Sequence, residues 1–228
     1  MRFQLQQVLV PRLAIIDASF TYSSPKSITA ATGLDALTHA IEAYTSKRAF
    51  CLTDTLAISA VKRIMQYLPI AYKDGTNKKA REEMAIAACE AGVGINNSSV
   101  TLVHGMSRPI GALFHVAHGL SNAMLLKECL TFALDGAYER FGLLGREIGA
   151  ADKSDSDETA AKKFLQAVEK VCTACEVPTF TEYGIKKEDF YARIDKMSTD
   201  AMDSGSPSNT RKALTKEDLM EIYKKCFS

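Results

Sequence analysis

The sequence predicts an all-α, multi-helix domain preceded by a short β-like segment, and three observations carry that expectation. Apolar residues recur at helical spacing in run after run from Ser27 onward, clusters of Ser, Gly, Pro and Asn separate the runs, and only the opening VLVPRLAIID reads as a strand. A lone strand leaves its backbone donors and acceptors unpaired. The strand is therefore expected to pair with another molecule or to be the tail of a domain outside this sequence.

In chain order, the strand-like run covers 8–17 and passes into the turn-rich DASFTYSSPK. Helical patterns follow at 27–46 and at 52–72, the second with Thr53 and Asp54 as capping candidates and an expected end near Pro69. The pattern at 77–98 is rich in Ala and Gly, which suits a tightly packed helix. Further helical patterns occupy 120–134, 137–149, 155–175, 186–202 and 215–226, with the loop DSGSPSNTRKA between the last two.

The 228 residues are enough to bury a real core, as one large domain in preference to two small ones. Lys and Arg total 28 against 27 Asp and Glu, a net charge of +1 without a long block of either sign. That balance argues against a nucleic-acid partner or an anionic membrane surface. No apolar run approaches the roughly 20 residues that span a bilayer, so no membrane helix is expected. Gln, Pro and Arg interrupt the N-terminal apolar run, which excludes a signal peptide. With no secretory segment, the six scattered cysteines fit a reducing, cytoplasmic setting, and the CxxC of Cys172 and Cys175, near the end of a helical pattern, reads as packing.

The stretch GLDALTHAIEAY places Asp35 and His39 four residues apart on one helix face. Such a pair can share a metal ion or simply a hydrogen bond. Three of the four histidines, His104, His115 and His118, lie in HGMSRPIGALFHVAHG, where Pro109 and Gly111 favour two short facing elements over one long helix. Gly follows both His104 and His118, which lets the backbone pass close to a neighbour. Asp35, His39, His104 and His118 would offer one carboxylate oxygen and three imidazole nitrogens, a sensible donor set for a divalent transition metal. The competing reading is a polar, partly buried surface.

TAATGLDALTHAIEAY followed by HGMSRPIGALFHVAHG resembles the metal-binding signature of the iron-dependent, group III alcohol dehydrogenases, within the wider dehydroquinate synthase-like superfamily. PRLAIIDASFTYSSP resembles the segment by which such chains enter their helical domain, and SPSNTRKALTKEDLMEIYKKC their C-terminal end, so the likeness covers essentially the whole chain. The resemblance implies that Asp35, His39, His104 and His118 bind the metal, Fe(II) with Zn(II) as the alternative. It also implies NAD or NADP as cofactor, bound by an N-terminal α/β domain, and a small alcohol or aldehyde as substrate.

The sequence departs from that family in two places. The glycine-rich phosphate loop of the nucleotide domain is absent, and GVG at 92–94 is too short to replace it. Residues 1–25 are therefore expected to be a remnant strand and connector, and residues 26–228 the helical metal domain, incomplete alone and partnered by a nucleotide-binding domain. Apolar faces that such a domain would cover are expected to drive homo-oligomer formation. The second departure is Arg108, where many members carry a His beside nicotinamide and substrate. Arginine stays charged and cannot shuttle protons, which points instead to a substrate with a negative group. His115 is the candidate acid-base residue in its place. Two other readings are a non-catalytic helical metal module and a zinc-dependent, glycerol dehydrogenase-like enzyme.

Overall fold

The computed structural model describes residues 12–227. Ten α-helices account for most of them: α1 (Lys26–Thr45), α2 (Cys51–Lys73), α3 (Lys78–Asn97), α4 (Leu102–Phe114), α5 (His118–Ala133), α6 (Tyr138–Glu147), α7 (Asp157–Ala174), α8 (Lys187–Tyr191), α9 (Ile194–Asp203) and α10 (Lys216–Lys225). Short 3-10 turns at Ala18–Thr21, Leu134–Gly136 and Pro207–Asn209 complete the regular structure. The all-α expectation holds. The strand is a partial miss: positions 8–11 lie outside the described residues, and 12–17 carry no regular element. Among the described residues the only β-type pairing is the isolated bridge between Ser46 and Thr210. A strand requires a neighbour to bond, and 12–17 has none; Leu13 and Ile15 remain 76% and 82% exposed.

Helix α1 is the axle of the molecule. It packs against α2, α3 and α5, and Leu34, Leu37, Ala40 and Ile41 are fully buried there. α4 lies across α5 and α9, α6 packs on α7, and α10 on α9. The first turn of α1 is pinned by Arg81 of α3, a buried guanidinium that donates to the Ser24 and Gly75 carbonyls and to Thr29 Oγ1 at 3.0, 2.9 and 2.8 Å.

Side chains cap several helix starts. The Asn77 carboxamide accepts from the Ala80 amide, Ser156 from Thr159, and Thr215 and Asp218 close a reciprocal capping box. At α2 the hydroxyl of Thr53 accepts the Phe50 N–H at 2.9 Å, while Asp54 instead pairs with Arg140 and ties α2 to α6.

The prolines were weaker guides. α2 runs through Pro69 to Lys73, and α4 runs through Pro109 to Phe114. A proline removes only one N–H, and the burial of Ala71 and Tyr72 beyond the expected end holds α2 together. The helical pattern at 186–202 divides into α8 and α9 at Ala192 and Arg193. Burial pushes the Cys172 and Cys175 thiols up to about 12 and about 11, so neither is a ready thiolate and both act as packing groups. No described helix is long and apolar enough to cross a membrane.

Candidate metal centre

Three helices converge on the histidines. α1 presents Asp35, His39 and Glu42 on one side, each a helical turn from the next. α4 brings His104 in its first turn, and α5 opens with His118 and carries Asn122 one turn later. The predicted two facing elements are therefore present. They are joined by a turn in which His115 adopts the left-handed conformation (φ 56°), which ends α4.

The glycine after each histidine permits a close approach. A Cβ on Gly119 would stand 2.2 Å from the Ala31 carbonyl oxygen and 3.2 Å from Asp35 Cβ, so only glycine lets α5 lie this near to α1. A Cβ on Gly105 would meet the Pro207 ring at 2.7 Å, so its absence seats the 206–209 segment on α4.

Asp35, His39 and His104 offer donor atoms that all lie within 4.8 Å of one another. Asp35 Oδ1 is 3.4 Å from His104 Nε2 and 3.6 Å from His118 Nε2. Two ligands about 2.1 Å from a common ion in tetrahedral array stand roughly 3.4 Å apart, so these spacings suit a shared metal. The His39 and His104 rings stack with centroids 4.4 Å apart, and the His118 ring tilts over His104 at 5.3 Å. His118, outside the tight triple, is 49% exposed and forms the open side of the cluster.

Asn122 tests the fit independently. Its Nδ2 lies 2.6 Å from Asp35 Oδ1, 3.2 Å from His104 Nε2 and 3.4 Å from His118 Nε2. An amide nitrogen has two hydrogens, yet a carboxylate oxygen and two imidazole nitrogens converge on it. Its Oδ1 is buried with no hydrogen-bond partner among the described residues. Potential ligand atoms focused on one point are what a cation requires once the rings are unprotonated, and one carboxylate with imidazoles matches a borderline divalent metal.

Behind the cluster, Glu42 is fully buried and every bond it makes is directed at α4. Its carboxylate accepts from the Val103 amide at 2.7 Å, the Thr101 hydroxyl at 2.8 Å and the Thr101 amide at 2.9 Å, and meets His104 Nδ1 at 2.6 Å. It thus caps the N-terminus of α4 from another helix, where the unpaired amides and the helix dipole favour negative charge. It also fixes the His104 ring so that Nε2 faces Asp35, the carboxylate–histidine arrangement that supports metal ligation.

Electrostatics divide the histidines. Burial opposes charge on His104, but the Glu42 charge and the bonds to Asp35 and Glu42 outweigh it and push the ring up to about 9. Burial, then repulsion from His104, pushes His39 down to about 4, so it is a neutral donor at pH 7. Burial also lowers His118, to which the charges of His104 and Arg108 add. Burial acts to raise Glu42, yet the His104 charge and the bonds to His104 and Thr101 hold it below its usual range.

The structure groups Asp35, His39 and His104, and His118 stands beside them with Nε2 3.6 Å from Asp35 Oδ1. Arg108 stands at the margin, and exposed His115 lies on the turn outside the ring cluster. Sequence reasoning missed Glu42 and Asn122. Both carried a usable signal: Glu42 is seven residues after Asp35 and Asn122 four after His118, each on the donor face.

Fold and cluster together define a class: a helical domain built around a histidine–carboxylate centre. The profile described as "Fe-containing alcohol dehydrogenase family, C-terminal" matches residues 29–227. The chain belongs to that family. It is 34% identical over 221 residues to the NAD-dependent methanol dehydrogenase of Bacillus methanolicus, covering 96% of this chain and 57% of the relative. The crystal structure of a 1,3-propanediol oxidoreductase superposes with a TM-score of 0.88 at 31% identity, over 92% of this chain and 55% of that one. The sulfoacetaldehyde reductase of Bifidobacterium kashiwanohense, solved with NAD+, gives 0.84 at 27% identity, over 96% and 55%. The chain spans about half the length of the relatives it matches.

Proposed function

We propose that this chain is the metal-binding half of an NAD(P)-linked alcohol dehydrogenase or aldehyde reductase. Asp35, His39, His104 and His118 would hold Fe(II), with Zn(II) able to occupy the same donors. The observation that carries the reading is the convergence of Asp35, His104 and His118 on the Asn122 amide nitrogen. When bound, such an ion supplies Lewis-acid polarisation of an alcohol or carbonyl oxygen.

The chain's own residues have separate tasks in this reading. Glu42 holds the His104 ring in register, and α1 orients Asp35 and His39 as a unit. The exposed side of His118 leaves an approach for substrate. Exposed His115 is the group for proton exchange with solvent. NAD(P) is assigned to the part of the relatives that this chain does not span, where the sequence resemblance implies a nucleotide-binding domain. The relatives named above act on methanol, 1,3-propanediol and sulfoacetaldehyde, which supports a small alcohol or aldehyde as substrate.

Elemental analysis after anaerobic loading with ferrous ion or zinc tests the reading. One metal per chain is expected, and Asp35→Ala should lose it while keeping its helical circular dichroism. A wild-type chain that takes up no metal would overturn the assignment.

Proton competition gives a second expected result. His104 has a folded pKa raised above its unfolded value of about 6.5. Its contribution to the stability of the metal-free chain is therefore complete below about 6.5 and lost as pH rises through about 9. Metal binding needs Nε2 unprotonated, so below that pH uptake should release a proton and apparent affinity should climb by up to about tenfold per pH unit. Titration in weakly buffered solution reads the proton directly; uptake without proton release at pH 7 would contradict it.

A further inference from the structure

Among the described residues Arg108 is a positive charge without a negative partner, one turn along α4 from His104 and near enough for its charge to act on His118. α4 sets it four residues after His104, one turn further along the same face. Its Nη1 donates to Ser206 Oγ at 2.9 Å, and among the described residues it makes no ion pair. Ser206 is itself buried, on the segment that Gly105 seats against α4. One edge of the guanidinium is thus pinned while the residue stays exposed. Its charge also reaches His118, the most exposed of the four donors.

A guanidinium fixed at one nitrogen still has several N–H groups in a planar fork, which matches a carboxylate or sulfonate better than a hydroxyl. Neutral alcohols would leave that fork idle. We propose that Arg108 binds an anionic group on the substrate, so that this site favours alcohols or aldehydes bearing a carboxylate or sulfonate a few bonds from the reacting carbon. Arg108 is then a specificity residue, and a charged side chain suits that position better than a proton-transferring one. The proposal deepens the reading given above and rests on it for the reacting end of the substrate.

The test compares 3-hydroxypropionate and isethionate with 1,3-propanediol, binding each to the zinc-loaded full chain by calorimetry, with metal content measured on the same sample. The anionic probes should bind about ten- to a hundredfold more tightly than the diol, the range expected for a charge-assisted hydrogen-bonded pair. Arg108→Gln should bring acid and diol level, and added salt should weaken only the anions. Acid binding that is equally tight in Arg108→Gln, or no tighter than diol binding in the wild type, overturns the proposal. One metal per chain with no Arg108-dependent preference sinks this inference alone. Arg108-dependent anion binding without metal uptake sinks the metal reading and leaves the anion recognition standing.

Discussion

Glu42→Ala is expected to destabilise the metal-free chain by about 3–5 kcal/mol, the usual cost of removing one member of a buried charged pair. The substitution strands the Thr101 and Val103 amides, the Thr101 hydroxyl and the His104 ring, all of which depend on that carboxylate. For a chain of this size each kcal/mol moves Tm by about 2–4 °C, so the fall should be on the order of 10 °C. Metal affinity should drop roughly 10–100-fold as well, because His104 loses the group that orients it. Calorimetric melting and competition against a chelator measure the two effects separately. Glu42→Gln should lie between, since an amide can keep one acceptor in place. A Tm within 2 °C or so of wild type for the alanine variant would show that solvent or another residue caps α4.

Gly119→Ala should cost about 1–3 kcal/mol through overpacking and should weaken metal uptake more than it weakens the fold. The added Cβ meets a backbone carbonyl of α1 at 2.2 Å, and a carbonyl inside a helix cannot step aside alone. α5 must retreat instead, taking His118 and Asn122 away from Asp35. Gly92→Ala provides the contrast, since its Cβ would meet nothing within 4 Å on α3. That change should stabilise the chain by about 0.5–1 kcal/mol through helix propensity. Equal metal affinity in Gly119→Ala and wild type would mean that the helix spacing does not set the ligand geometry.

Much of the arrangement was legible from side-chain types at helical spacing. Asp35 and His39 announce a shared face, and the His-Gly pairs at 104 and 118 announce close backbone contacts, because glycine in a helix costs stability unless something lies against it. Glu42 was hidden for a physical reason: an acid on a helix usually belongs to a solvated face, and only the arrival of the α4 N-terminus makes it a buried cap. Asn122 was hidden because a neutral amide has no charge or pKa signal of its own. Pro69 and Pro109 misled because local propensity was weighed without the packing that carries α2 and α4 past them.

The Arg81 contacts have a consequence for the chemistry two turns away. An α-helix advances about 100° per residue, so a slip of one position at its start would swing Asp35 and His39 out of line with His104 together. Arg81 prevents that slip by clamping the approach to α1 and Thr29 in its first turns, while Glu42 locks the far half of the same helix to α4. The angular phase of the donors is therefore set by a torsional anchor at each side of them, one of which is a cation that touches no ligand at all.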